Sequence, residues 1–86
     1  VAIKDDIEML RSHGRVSFRD LMKICKRHFG EPRNSGSSHN IFKMPWKGNP
    51  RINIQRDGKD AKQYQVKDVI KALEKLMEVN DGIGKV

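Results

Sequence analysis

With 86 residues, 18 of them basic and 11 acidic, the chain has a net charge of +7 and the length of one small domain, too small for a deep pocket or a large cofactor. At 36% hydrophobic and 34% charged residues it reads as a globular, water-exposed chain rather than a disordered one, and no run approaches the roughly 18 apolar residues of a membrane span. The single cysteine, Cys25, excludes an internal disulfide and a cysteine-rich zinc site, and it fits a reducing compartment, with the cytoplasm as the default.

The opening residues, Val1 to Asp6, lack the charged-then-apolar layout of a secretory signal, and a start on Val1 leaves room for an initiator methionine or a longer leader. Ile3, Ile7 and Leu10 recur at helical spacing and predict a short helix over 3–13, closed by Gly14. Ser17 then offers an N-cap, with Asp20 in the place of a capping-box acid. The helix it opens runs to about Phe29 and places Phe18, Leu21, Met22, Cys25 and Phe29 on one stripe, with Ile24 at the edge. Lys23, Lys26 and Arg27 suit the negative end of its dipole, and Gly30 stops it.

The stretch from Glu31 to Ser38 is rich in Pro, Gly, Ser and Asn and reads as a turn or a very short strand. From His39 to Met44 a strand is predicted, with His39, Ile41 and Lys43 on one face and Asn40, Phe42 and Met44 on the other. A loop follows from Pro45 to Pro50, and then Arg51 to Gln55 alternates with Ile52 and Ile54 turned to the core. Arg56 to Lys62 reads as a polar link. The last helix, from about Gln63 to Val79, is marked by Val66, Val69, Ile70, Leu73, Leu76 and Met77, and the tail over 80–86 is expected to fray. The predicted architecture is α+β: helices on one side of a short antiparallel sheet of two or three strands, whose other face carries His39, Lys43, Arg51 and Asn53.

Charge is concentrated in the middle of the chain. Residues 31–63 hold 7 basic against 3 acidic side chains, whereas residues 64–86 hold 4 of each. The middle third is thus the natural surface for a polyanion or an acidic partner, with plain solubility as the alternative. Within it, Gly36-Ser37-Ser38-His39 places an imidazole directly after a turn whose backbone amides and hydroxyls suit an anion. Arg33, Lys43, Lys47 and Arg51 add cations for phosphate. An imidazole in that setting can move a proton near neutral pH, which is the need of metal-independent RNA cleavage. It can also be a plain surface histidine, and residue types alone do not choose.

Three segments resemble the HicA family of toxins from bacterial toxin–antitoxin modules: Gly-Ser-Ser-His-Asn-Ile-Phe-Lys at 36–43, Pro-Trp-Lys-Gly-Asn-Pro-Arg-Ile-Asn-Ile-Gln at 45–55, and Lys-Gln-Tyr-Gln-Val-Lys-Asp-Val-Ile-Lys-Ala-Leu at 62–73. The resemblance implies a fold similar to a double-stranded-RNA-binding domain over 17–79, with residues 1–16 as an N-terminal extension in a single domain spanning 1–86. It implies ribosome-independent cleavage of single-stranded mRNA with the essential histidine at His39, inhibition by a HicB-type antitoxin, and no metal or cofactor. Gly36, Ser37, Ser38 and Lys43 would then bind the reacting phosphate, and Arg33, Lys47 and Arg51 the rest of the RNA. Three features depart from the family pattern: Ser37 stands where a glycine is common, Asn40 where a second histidine often follows, and the first strand contains Pro32 and few apolar residues where the family usually has a stronger strand.

The remaining candidates carry blander readings beside the functional ones. Trp46 and Tyr64 are candidates for base stacking or antitoxin contact, against a structural role for Trp46 over the sheet edge and for Tyr64 in packing on Phe42 or Trp46. His13 and His28 read as helix-end residues, Cys25 as core, and Lys67, Lys71 and Lys75 as a solvated helix face. A non-catalytic RNA-binding module using the same basic face is the rival from another class, and an acidic-protein docking domain a third.

Overall fold

Apolar residues at helical spacing build three helices, and alternating ones build a small sheet beneath them. The computed structural model describes the backbone of residues 3–12, 14–35, 39–48 and 50–85, and the side chains of these other than 35, 57 and 80–85. The order is α1 (Ile3–Ser12), α2 (Phe18–Phe29), β1 (Arg33–Ser35), β2 (His39–Lys43), β3 (Arg51–Ile54), β4 (Arg56–Asp57), β5 (Asp60–Ala61) and α3 (Gln63–Lys85). No described helix is long and apolar enough to cross a membrane.

Helix α2 begins and ends where its capping chemistry dictates. The Ser17 hydroxyl accepts the Asp20 backbone N–H at 3.0 Å, and Gly30, at φ +85°, donates its own N–H back to the Lys26 carbonyl. That left-handed backbone is easy for glycine and strained for other residues. Leu21, Ile24 and Cys25 are the fully buried residues of this helix, so Ile24 stands at the centre of its apolar stripe and not at the edge.

Strands β1, β2 and β3 form an antiparallel sheet in that order. Arg33 pairs with Ile41 and Ser35 with His39 on one side of β2, and Ile41 pairs with Asn53 and Lys43 with Arg51 on the other. The alternation divides the sheet as predicted. Phe42 and Ile54 are wholly buried under α2 and α3, whereas His39, Lys43, Arg51 and Asn53 are exposed. Val66, Val69 and Leu73 of α3 close this core from above, and Ile7 and Leu10 of α1 extend it as α1 packs on α3.

Two parts of the chain depart from the sequence prediction. The polar link over 56–62 folds as a two-stranded hairpin, β4 with β5, turning through Gly58 at φ +66°. Its register is locked to the start of α2: Phe18 N–H donates to the Lys59 carbonyl, and Ala61 N–H to that of Val16. An orphan N–H of the helix terminus is thereby satisfied. The second departure is α3, whose backbone stays helical through Lys85 instead of ending at Val79 with a frayed tail. Once a long helix is nucleated, each added turn costs little beyond the propensity of its residues.

His28 lies in the last turn of α2, at the helix end as the sequence predicts, but its side chain also makes a contact the sequence does not disclose: it is only 7% exposed, and its Nε2 lies 2.5 Å from Oδ2 of Asp6 in α1. Arg27 Nη1 donates to both oxygens of the same carboxylate, at 3.0 and 2.9 Å. Asp6 thus enters the interface between α1 and α2 as a charge matched by two neighbours. His13 lies outside the described residues.

Candidate functional site

The open face of the sheet is built from the outward residues of β2 and β3. His39 stands at the start of β2, exposed, opposite the residue that follows β3. Gln55 is that residue. Its amide nitrogen lies 2.9 Å from His39 Nδ1 and 3.0 Å from Nε2, and the Asn53 amide nitrogen lies 3.3 Å from Nδ1. A neutral imidazole accepts at one nitrogen only, through a single lone pair; Gln55 is within reach of that nitrogen in either tautomer, and Asn53 only where it is Nδ1. An amide can also turn by half a rotation and present its carbonyl instead. The same pair can therefore follow the ring through gain and loss of a proton, as a group that transfers protons requires.

The placement of Gln55 is itself fixed from the core side. Its backbone N–H donates to Oε1 of Gln65, 3.1 Å away on α3, and Gln65 is 1% exposed. Among the described residues Gln65 Nε2 is buried without a hydrogen-bond partner, at a cost of roughly 1–3 kcal/mol. Holding the end of β3 at the level of His39 is what that residue contributes. The sequence prediction does not single out Gln55 or Gln65. The signal for Gln55 is the outward alternation of Arg51, Asn53 and Gln55; that for Gln65 is its place on the apolar stripe of α3, four residues before Val69 and eight before Leu73.

Asn40, where a second histidine is common in HicA toxins, belongs to the other face. Its Nδ2 donates to the Ile54 carbonyl at 3.2 Å, and its Oδ1 accepts from Asn34. It ties the three strands together and does not meet the ring of His39 among the described contacts.

The predicted cations do not all gather at the histidine. Arg33, Lys43 and Arg51 come together at the opposite end of the face, around a cleft of about 120 Å³ whose floor is Phe29 and Ile41 and whose rim includes Glu31. Lys43 lies four residues from His39, about 13 Å at the rise of an extended strand. It therefore joins Arg33 and Arg51, and it does not accompany the imidazole as predicted for a group steadying the reacting phosphate. Lys47 is exposed in the loop between β2 and β3, and Gly36, Ser37 and Ser38 lie outside the described residues.

Comparison with protein-family models, with curated proteins and with solved structures gives no match. The chemistry of the face is therefore read from its own residues. It offers one exposed imidazole with two amide partners, and beyond it a cluster of cations that no described carboxylate pairs within 4 Å.

The two aromatic candidates take different places. Trp46 is half-buried and packs against the core, the structural side of its two readings. Tyr64 is 56% exposed, with Lys62 Nζ 5.9 Å from its ring centre, so it is not packed on Phe42 or Trp46 as the sequence suggests. Exposure leaves that ring available for stacking. Cys25 is wholly buried, and burial pushes its thiol up to about 12, which leaves no nucleophile there.

Proposed function

We propose that this chain is a metal-independent endoribonuclease of the HicA toxin kind, cleaving single-stranded mRNA in the cytoplasm with His39 as the proton-transfer group. What supports the reading is the position of His39: exposed at the start of β2, on an open sheet face, with its ring engaged by Asn53 and Gln55. The sequence resemblance over 36–73 supports it independently. The layout of helix, three strands and helix in α2 to α3 is compatible with the double-stranded-RNA-binding-like fold of that family.

The chemistry is an internal transfer. His39 takes the proton of a ribose 2′-OH, and the oxygen attacks the adjacent phosphorus. The bond to the 5′ oxygen of the next nucleotide breaks, that oxygen takes up a proton from solvent, and His39 returns its own proton to solvent. A 2′,3′-cyclic phosphate and a 5′-hydroxyl result; no water is consumed, and the step needs no metal or cofactor. A HicB-type antitoxin with an acidic surface would restrain the enzyme by covering the same basic face.

A second reading, a non-catalytic RNA-binding module, draws on one observation: the side chains hydrogen-bonded to His39 are amides, and no described acid stands with it to protonate the leaving oxygen. One experiment separates the two. Purified RNA is incubated with the chain, with and without EDTA, alongside His39→Ala. The nuclease reading expects cleavage indifferent to EDTA and reduced about 10²- to 10⁴-fold in the variant. Intact RNA with the wild-type chain would leave only the binding module.

A further inference from the structure

The cleft at the Lys43 end of the open face is distinct from the imidazole end, and its composition specifies what it holds. Arg33, Lys43 and Arg51 surround it, none of them within 4 Å of a described carboxylate. Glu31 on the rim is itself drawn 3.9 Å from Lys26 and is 83% exposed, so it can swing clear. Three cations gathered around an apolar floor repel one another until an anion joins them. The volume, about 120 Å³, is several times what a single water needs and suits a group of phosphate size. Two of the three cations are arginines, whose planar guanidinium matches phosphate oxygens in pairs.

Ile41 and Lys43 lie two and four residues along β2 from His39, about 7 and 13 Å. A phosphate in the cleft is therefore not the one that reacts at the imidazole; it belongs to a neighbouring nucleotide of the same strand. We propose that the cleft is a phosphate subsite that lays single-stranded RNA along β2, so that the reacting ribose falls on His39. The inference rests on the nuclease reading for the role of His39, but its test does not depend on cleavage. The subsite makes the enzyme measure its substrate: a dinucleotide, with one phosphate, cannot fill the cleft and the reacting position together.

The probe is a deoxyribonucleotide tetramer, which keeps the phosphates and lacks the 2′-OH needed for cutting. Titrated into the wild-type chain, it is expected to shift the backbone amides of Arg33, Ile41, Lys43 and Arg51. The double variant K43Q/R51Q should bind it at least about fivefold more weakly and lose roughly 0.7 from the slope of log K against log salt, one phosphate contact. K67Q/K71Q, which removes the same charge from the exposed face of α3, should stay within about twofold of wild type. Equal weakening by both double variants, or amide shifts confined to other elements, overturns the subsite. So does displacement of the tetramer by polyglutamate at equal charge concentration, which marks an acidic-protein surface instead. The amide map needs no variant and stands even if K43Q/R51Q fails to fold. Tetramer binding at the cleft with RNA left uncut retains the subsite and removes the nuclease reading. His39-dependent cutting with the cleft ignored does the reverse.

Discussion

His39 is held by side chains that are neither acids nor bases, and this sets what their loss should do. Gln55 and Asn53 orient the ring without supplying a proton. Gln55→Leu is accordingly expected to lower kcat for RNA cleavage about tenfold while KM stays within about a factor of two, the pattern of a misplaced group rather than lost binding. A change in KM alone, measured by initial rates over a range of RNA concentrations, would contradict the positioning role. Cys25 gives a second prediction at this scale. With its thiol buried and raised to about 12, it should resist alkylation in the native protein at mildly alkaline pH and react only on unfolding. Mass spectrometry after iodoacetamide treatment, with and without urea, reads this directly.

Individual residues also show what the sequence could and could not disclose. His39 was legible, because strand alternation and the following Ile41 and Lys43 put it outward, and the structure keeps it there. Gln55 was within reach of the same alternation, but its pairing level with His39 depends on the length and bend of the loop over 44–50, which no local pattern encodes. Asp6 gave a signal that is easy to pass over. It lies three residues after Ile3 and four before Leu10, on the apolar stripe, and His28 lies four after Ile24 on its own stripe. Two polar groups placed on apolar stripes of different helices call for each other once those helices pack. The packing itself was not legible.

At the scale of elements, that contact joins α1 to α2. Burial would raise the Asp6 carboxyl, but the hydrogen bonds and charges of His28 and Arg27 outweigh it and hold the carboxyl below its ordinary value of 3.8. As pH falls, the unfolded chain takes up this proton first. The stabilisation is full above about 3.8 and is lost as pH falls on towards the folded-state value. Asp6→Asn is expected to cost about 2 kcal/mol at neutral pH, and the gap between variant and wild type should close in strong acid. Urea midpoints measured across that range test it; a gap that persists at the lowest pH would mean that the carboxylate is not the source. The hairpin of β4 and β5 is the element sequence reasoning missed, since two-residue strands carry no alternation and only the Asp57-Gly58 pair hinted at a turn. The firmly periodic elements, α2, β2, β3 and the body of α3, formed as their spacing requires.

For the whole molecule, the surplus of seven positive charges bears on solubility and on association with anions rather than on the fold. His39→Ala, which alters one exposed side chain, should still bind single-stranded RNA, with log K falling linearly with log salt. Its stability should stay within about 0.5 kcal/mol of wild type. The decisive measurement is the mass of the fragments released from a defined RNA oligonucleotide. The expected result is fragments ending in 2′,3′-cyclic phosphate paired with 5′-hydroxyl ends, with a yield at least about a hundredfold lower from His39→Ala. Fragments from the wild-type chain bearing 5′-phosphate ends, or the same fragments in full yield from His39→Ala, would contradict it.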